Sequence, residues 1–97
     1  MLKQITFSKK PQFILDLEKN GGTDYKVYED GPLTILCGTE PKGKKKKMIK
    51  HITVNSKNRY SASRTELEAI AKELLKETPY KIRKSFFMKS VAHIFEI

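Results

Sequence analysis

Leu67, Ile70, Ala71, Leu74 and Leu75 fall at i, i+3, i+4, i+7 and i+8, a stripe down one side of a helix. A stripe of that width has to be covered by another apolar surface, and this constrains the fold more than any other feature. Ser63 opens the helix with Glu66 three residues on, the spacing of a capping box. Thr65 with Glu68 offers an alternative cap one register later, and Thr78-Pro79 stops the helix. A second, shorter stripe of Phe13, Ile14 and Leu17 follows Pro11 and ends at Asn20-Gly21-Gly22.

The surface that covers these stripes is written as strands. Residues 1–7 alternate apolar and polar side chains, and residues 25–29 and 33–37 form two further runs around an Asp30-Gly31-Pro32 turn. Residues 48–54, 80–87 and 91–97 supply three more, the last two turning through Met88-Lys89-Ser90. The expected fold class is therefore α+β: about six mainly antiparallel strands with two helices on one face. Ninety-seven residues make a single domain, residues 1–97.

Both halves read strand, helix, strand, strand, and their openings MLKQITF and MIKHITV match closely. Tyr25-Lys26-Val27 also matches Tyr80-Lys81-Ile82. One reading is a duplicated unit, with pseudo-repeats 1–38 and 48–97 joined by a basic connector at 39–47. The other is chance likeness between amphipathic strands in a lysine-rich chain.

Charge separates the halves. The formal net charge of +9 is made of five lysines against six acids in residues 1–41, and 15 basic residues against five acids in residues 42–97. From Lys42 to Arg59 there are eight basic residues and no acid. Concentrated charge of this kind favours an acidic partner. Lys42, Lys44, Lys45, Lys46, Lys47, Lys50, Lys57, Arg59 and Arg64 are the candidate contacts, since lysine and arginine neutralise phosphates without reading sequence. The bland reading of the run is a solvated linker that shields the neighbouring strand from edge pairing.

Alternation along residues 80–87 puts Lys81, Arg83, Ser85 and Phe87 on one face, and Tyr80, Ile82, Lys84 and Phe86 on the other. If helices cover the Tyr80 face, Lys81 and Arg83 join the candidate binding residues beside an exposed aromatic. That combination suits single-stranded nucleic acid, against the simpler reading of an ordinary solvent-facing strand. His51 and His93 lie on strands that would bring their rings together if adjacent. Two histidines are too few for a metal site, no carboxylate is placed by spacing to make a catalytic pair, and structural histidines are the expectation. The only cysteine, Cys37, sits in an apolar run and reads as a small buried hydrophobe. P-loop, Rossmann, HExxH and CxxC patterns are missing, so neither catalytic residues, metal nor cofactor are expected. No stretch is long and apolar enough for a membrane span, and MLKQITFSKK is not a signal peptide.

Residues 50–97 resemble small uncharacterised bacteriophage-encoded proteins. The positions that carry the likeness are His51-Ile52-Thr53, Arg59-Tyr60 before the helix, and the closing His93-Ile94-Phe95. Ser61 stands where that group has proline, and its tryptophan near the helix start is missing. The resemblance implies a phage-type origin, hence the cytoplasm of a bacterial host, and no activity. The expectation is a non-enzymatic accessory protein, monomer or homodimer, that binds nucleic acid or a nucleoprotein through its basic second half. The alternative is a protein inhibitor of a host defence nuclease, of the anti-CRISPR or anti-restriction type.

Overall fold

A computed structural model describes residues 1–58, 60–85 and 90–97. Eight elements follow in the order β1 (Lys3–Ile5), α1 (Gln12–Lys19), β2 (Thr23–Asp30), β3 (Leu33–Lys42), β4 (Lys47–Ser56), α2 (Arg64–Leu75), β5 (Tyr80–Lys84) and β6 (Val91–Glu96). The strands form one antiparallel sheet in the order β1-β2-β3-β4-β6-β5. The expected α+β class, with six antiparallel strands and two helices, is what the chain forms.

The stripe on α2 buries Leu67, Ile70, Ala71 and Leu75 against Ile35, Ile52, Val54, Ala92 and Ile94. Pairing explains why these residues meet. Ile35 lies opposite Val54, Val54 opposite Ala92, and Ile52 opposite Ile94, so the apolar positions of three strands share one face. The Ser63 hydroxyl accepts from the Glu66 N–H at 3.1 Å, and Glu66 accepts from the Ser63 N–H at 3.0 Å. Tyr60 Oη also donates to Glu66, at 2.6 Å. These bonds satisfy donors that a helix start leaves open. The helix ends at Lys76, whose φ of 54° leaves helical geometry before Pro79 is reached.

Placing both helices on one face is corrected by the pleat. Tyr28 packs on the α2 core. Its neighbour Val27 must therefore face the other way, and Ile5 is directly opposite Val27. The buried Ile14 of α1 lines a hollow with Ile5, Tyr25 and Val27, so α1 covers the reverse face. It does so only over the β1–β2 end. The accessible surface of 7070 Å² exceeds the roughly 5,700 Å² expected for this mass, which fits a sheet with part of one face bare.

The two halves share an element order but not a pairing. In the first, β1 is followed in the sheet by β2 and β3; in the second, β6 lies between β4 and β5. Ile5 and Ile52, aligned in the two similar openings, point to opposite faces. The expected connector at 39–47 is likewise replaced. β3 runs to Lys42 and β4 starts at Lys47, with ten paired positions between them. Only Gly43, Lys44, Lys45 and Lys46 turn, closed by the Lys46 N–H donating to the Gly43 carbonyl at 3.1 Å. Gly43 takes φ 78°, which glycine adopts without strain. Pro41 is tolerated in β3 because β2 has already ended opposite Thr39, leaving β3 one neighbour there. Among the described residues no helix is long and apolar enough to cross a membrane.

Candidate nucleic-acid interface

The bare part of the reverse face belongs to β3, β4, β6 and β5, and it is polar and cationic. Strand alternation assigns Gly38, Glu40 and Lys42 of β3 to it, with Ile49, His51 and Thr53 of β4. His93 and Phe95 come from β6, and Lys81 and Arg83 from β5. Register places His51 opposite Phe95, Phe95 opposite Lys81, and His93 opposite Arg83.

At its centre is a chain of hydrogen bonds. Tyr25 Oη donates to Glu40 Oε2 at 2.8 Å, and Glu40 Oε1 is bonded to His51 Nδ1. His51 Nε2 meets His93 Nδ1 at 2.9 Å, with the Thr53 hydroxyl 3.4 Å from the same nitrogen. The His51 ring stacks on Phe95 with centroids 4.5 Å apart and planes within 12°. Tyr25 reaches Glu40 because two glycines make room for it. A Cβ on Gly38 would stand 2.3 Å from its ring, and one on Gly22 would stand 1.7 Å from its hydroxyl. Burial, then the hydrogen bond to Glu40 and that carboxylate's charge, hold the phenol far above its ordinary pKa.

Around this chain sit three cations. Lys42 Nζ lies 3.5 Å from the centroid of the Phe95 ring, a cation–π contact. Partial desolvation, then repulsion from Lys81 and Arg83, lowers the Lys42 pKa. His93 is also pushed below the usual histidine value, first by burial and then by His51 and Arg83, with Glu40 opposing. Desolvation leads both shifts, and in both neighbouring basic groups add to it.

A carboxylate on His51 Nδ1 and a hydroxyl near Nε2 is the order found in hydrolytic triads. Here the nearer partner of Nε2 is the His93 ring, at 2.9 Å against 3.4 Å for the Thr53 hydroxyl, so the closest contact joins the two imidazoles. Among the described residues no group of three histidine, cysteine, aspartate or glutamate side chains is placed to hold a metal ion.

The residues expected from sequence divide sharply. Lys42 lies over Phe95, Lys81 is opposite Phe95 and Arg83 is opposite its neighbour His93, close enough for all three charges to interact. Lys44, Lys45, Lys46 and Lys47 stand at the exposed end of the β3–β4 hairpin, on the side from which Lys42 reaches in. Lys50 is on the α2 face, near Cys37, whose thiol is pushed up by burial as befits a hydrophobe. Lys57 lies about 30 Å along β4 from the hairpin end, its N–H held by the Pro32 carbonyl at 2.9 Å. Arg64 pairs with Glu68 on α2 at 3.3 Å. Arg59 and Phe87 lie outside the described residues, and Phe95 supplies the aromatic of this face. Glu40 and Tyr25 were missed because Glu40 was assigned to a connector. Strand alternation through 38–42 is the signal that would have found Glu40.

The site thus defines a small α+β domain with a basic, aromatic-bearing open sheet face. Compared with known proteins, the chain matches no protein family, no curated protein and no solved structure, so the site is read from its own geometry.

Proposed function

We propose that this chain is a non-enzymatic binding protein, a phage-type accessory factor acting in the bacterial cytoplasm. It engages single-stranded nucleic acid, alone or in a nucleoprotein, through the β4-β6-β5 face. The observation that carries the reading is the grouping of Lys42, Lys81 and Arg83 about Phe95 and His93 on a part of the sheet face that neither helix covers. Three cations held together repel one another, and a phosphate backbone relieves that repulsion while releasing its own counterions. Phe95 gives a base a ring to stack on, which makes single strands a better fit than duplex. When a base takes the place of Lys42 over that ring, the freed ammonium can follow the backbone, and the hairpin lysines extend the track.

Titration of the labelled protein with a single-stranded oligothymidylate tests this by NMR. Shift changes should concentrate at Lys42, Lys81, Arg83, His93 and Phe95. Changes confined to α2, Lys50 and Lys57 would reject this face as the interface. Capture from a bacterial lysate with and without nuclease treatment addresses the inhibitor reading: a host nuclease retained after digestion would favour it over direct nucleic-acid binding.

A further inference from the structure

Hydrogen-bond valence in the Tyr25–Glu40–His51–His93 chain leads from this binding face to a condition for its use. An ionised Glu40 only accepts, so it takes one bond from Tyr25 Oη and one from His51 Nδ1–H. With both histidines neutral there are two ring protons to place. One is on His51 Nδ1. The other must lie in the 2.9 Å bridge, donated by His93 Nδ1 to His51 Nε2. His93 Nε2 is then a bare lone pair. A proton added to the pair goes to that nitrogen whichever ring carries the charge, because the other three positions are filled. The two rings share one bridging proton, and among the described residues His93 Nε2 is the ring nitrogen left without a partner.

That site sits in the cationic patch. His93 is directly opposite Arg83, and Lys81 and Lys42 flank the adjacent Phe95. The groups that face the pair are Glu40 and Lys42 from β3, Thr53 from β4, and Lys81 and Arg83 from β5. Tyr25 of β2 acts through Glu40. A phosphate oxygen accepts and does not donate, so a lone pair on His93 repels it and an N–H welcomes it.

We infer that the face is a proton-coupled phosphate site, in which binding a phosphodiester at Arg83 and His93 converts His93 Nε2 from acceptor to donor with uptake of one proton. The inference rests on the nucleic-acid reading above and specifies which atom meets the phosphate. In the free protein burial, and after it His51 and Arg83, disfavour that proton on His93. A bound anion reverses the sign of the local field. Affinity then increases about tenfold for each unit by which the phosphate raises the His93 pKa, once the pH lies below the free value.

Calorimetric titration of the whole chain with oligothymidylate tests this, since neither its phosphates nor its bases titrate near neutral pH. Near pH 6.5, roughly the ordinary histidine value, runs in two buffers of different ionisation enthalpy should report net uptake approaching one proton. His93→Gln should remove the uptake. Nitrogen NMR of the wild-type rings guards against a variant that fails to fold. It should show His93 Nε2 unprotonated in the free protein and protonated in the complex at the same pH. Binding without uptake, or an Nε2 already protonated when free, overturns the coupling and leaves the nucleic-acid reading standing. No binding between about pH 5.5 and about pH 7.5 overturns both.

Discussion

Replacing Lys42, Lys81 and Arg83 together with glutamine removes the three cations beside Phe95 and His93 and no ion pair among the described residues. All three side chains are exposed, so the fold should survive, and a thermal melt checks that. Each single-strand phosphate neutralised contributes about 0.7 to the slope of log affinity against log salt, so losing three contacts lowers the slope by about 2. Between about 50 and 200 mM salt, a fourfold range, the wild type should lose about 20-fold more affinity than the variant. Fluorescence anisotropy with a labelled oligothymidylate across a salt series measures both slopes. A second variant, with Lys44, Lys45, Lys46 and Lys47 changed to glutamine, separates the face from the hairpin end. If the first variant keeps the wild-type slope while the second loses almost all of it, the contacts are at the hairpin end and the argument from grouped cations is refuted.

The remaining predictions concern the scaffold and its pH response. Gly38→Ala drives a Cβ into the Tyr25 ring and should cost about 1–3 kcal/mol in urea unfolding, while releasing Tyr25 from Glu40. Ile94→Ala empties a fully buried position between Ile52 and Ile82, and should cost about 2–5 kcal/mol by the same assay. Ser63→Ala removes the capping box of α2 and should cost about 1 kcal/mol, a fall of about 5 °C in Tm. The His93 pKa is lower in the folded chain than its ordinary 6.5, so the unfolded chain binds more protons as the pH falls through that value. Stability contributed by neutral His93 is therefore complete above about pH 7 and declines below about 6.5 towards the folded value. His93→Gln should flatten that part of the stability profile; a wild type that gains stability on acidification there, relative to the variant, would contradict the assignment.

Much of this protein was legible residue by residue. The stripe from Leu67 to Leu75, the Ser63–Glu66 cap and the Gly31-Pro32 turn are local, and each forms as its spacing indicates. Alternation in β5 also separated Lys81 and Arg83 from Tyr80 and Ile82 correctly, because a strand's period of two depends on its own backbone alone. The similarity of MLKQITF and MIKHITV was real but did not carry a shared pairing. One strand turns its isoleucine to α1 and the other to α2, and an apolar-polar pattern reads the same from either face.

Charge and periodicity by themselves determined the class of fold, the capped helix, and the concentration of basic residues in the second half. Tertiary structure alone decided which of the basic residues lie close together. Only by inserting β6 between β4 and β5 does the chain set His93 beside His51, and Phe95 among Lys81, Arg83 and Lys42. Only by extending β3 through the supposed connector does Glu40 reach His51. The physical reason is that a strand's sequence says which side chains share a face, whereas its neighbours are chosen by the packing of the whole sheet.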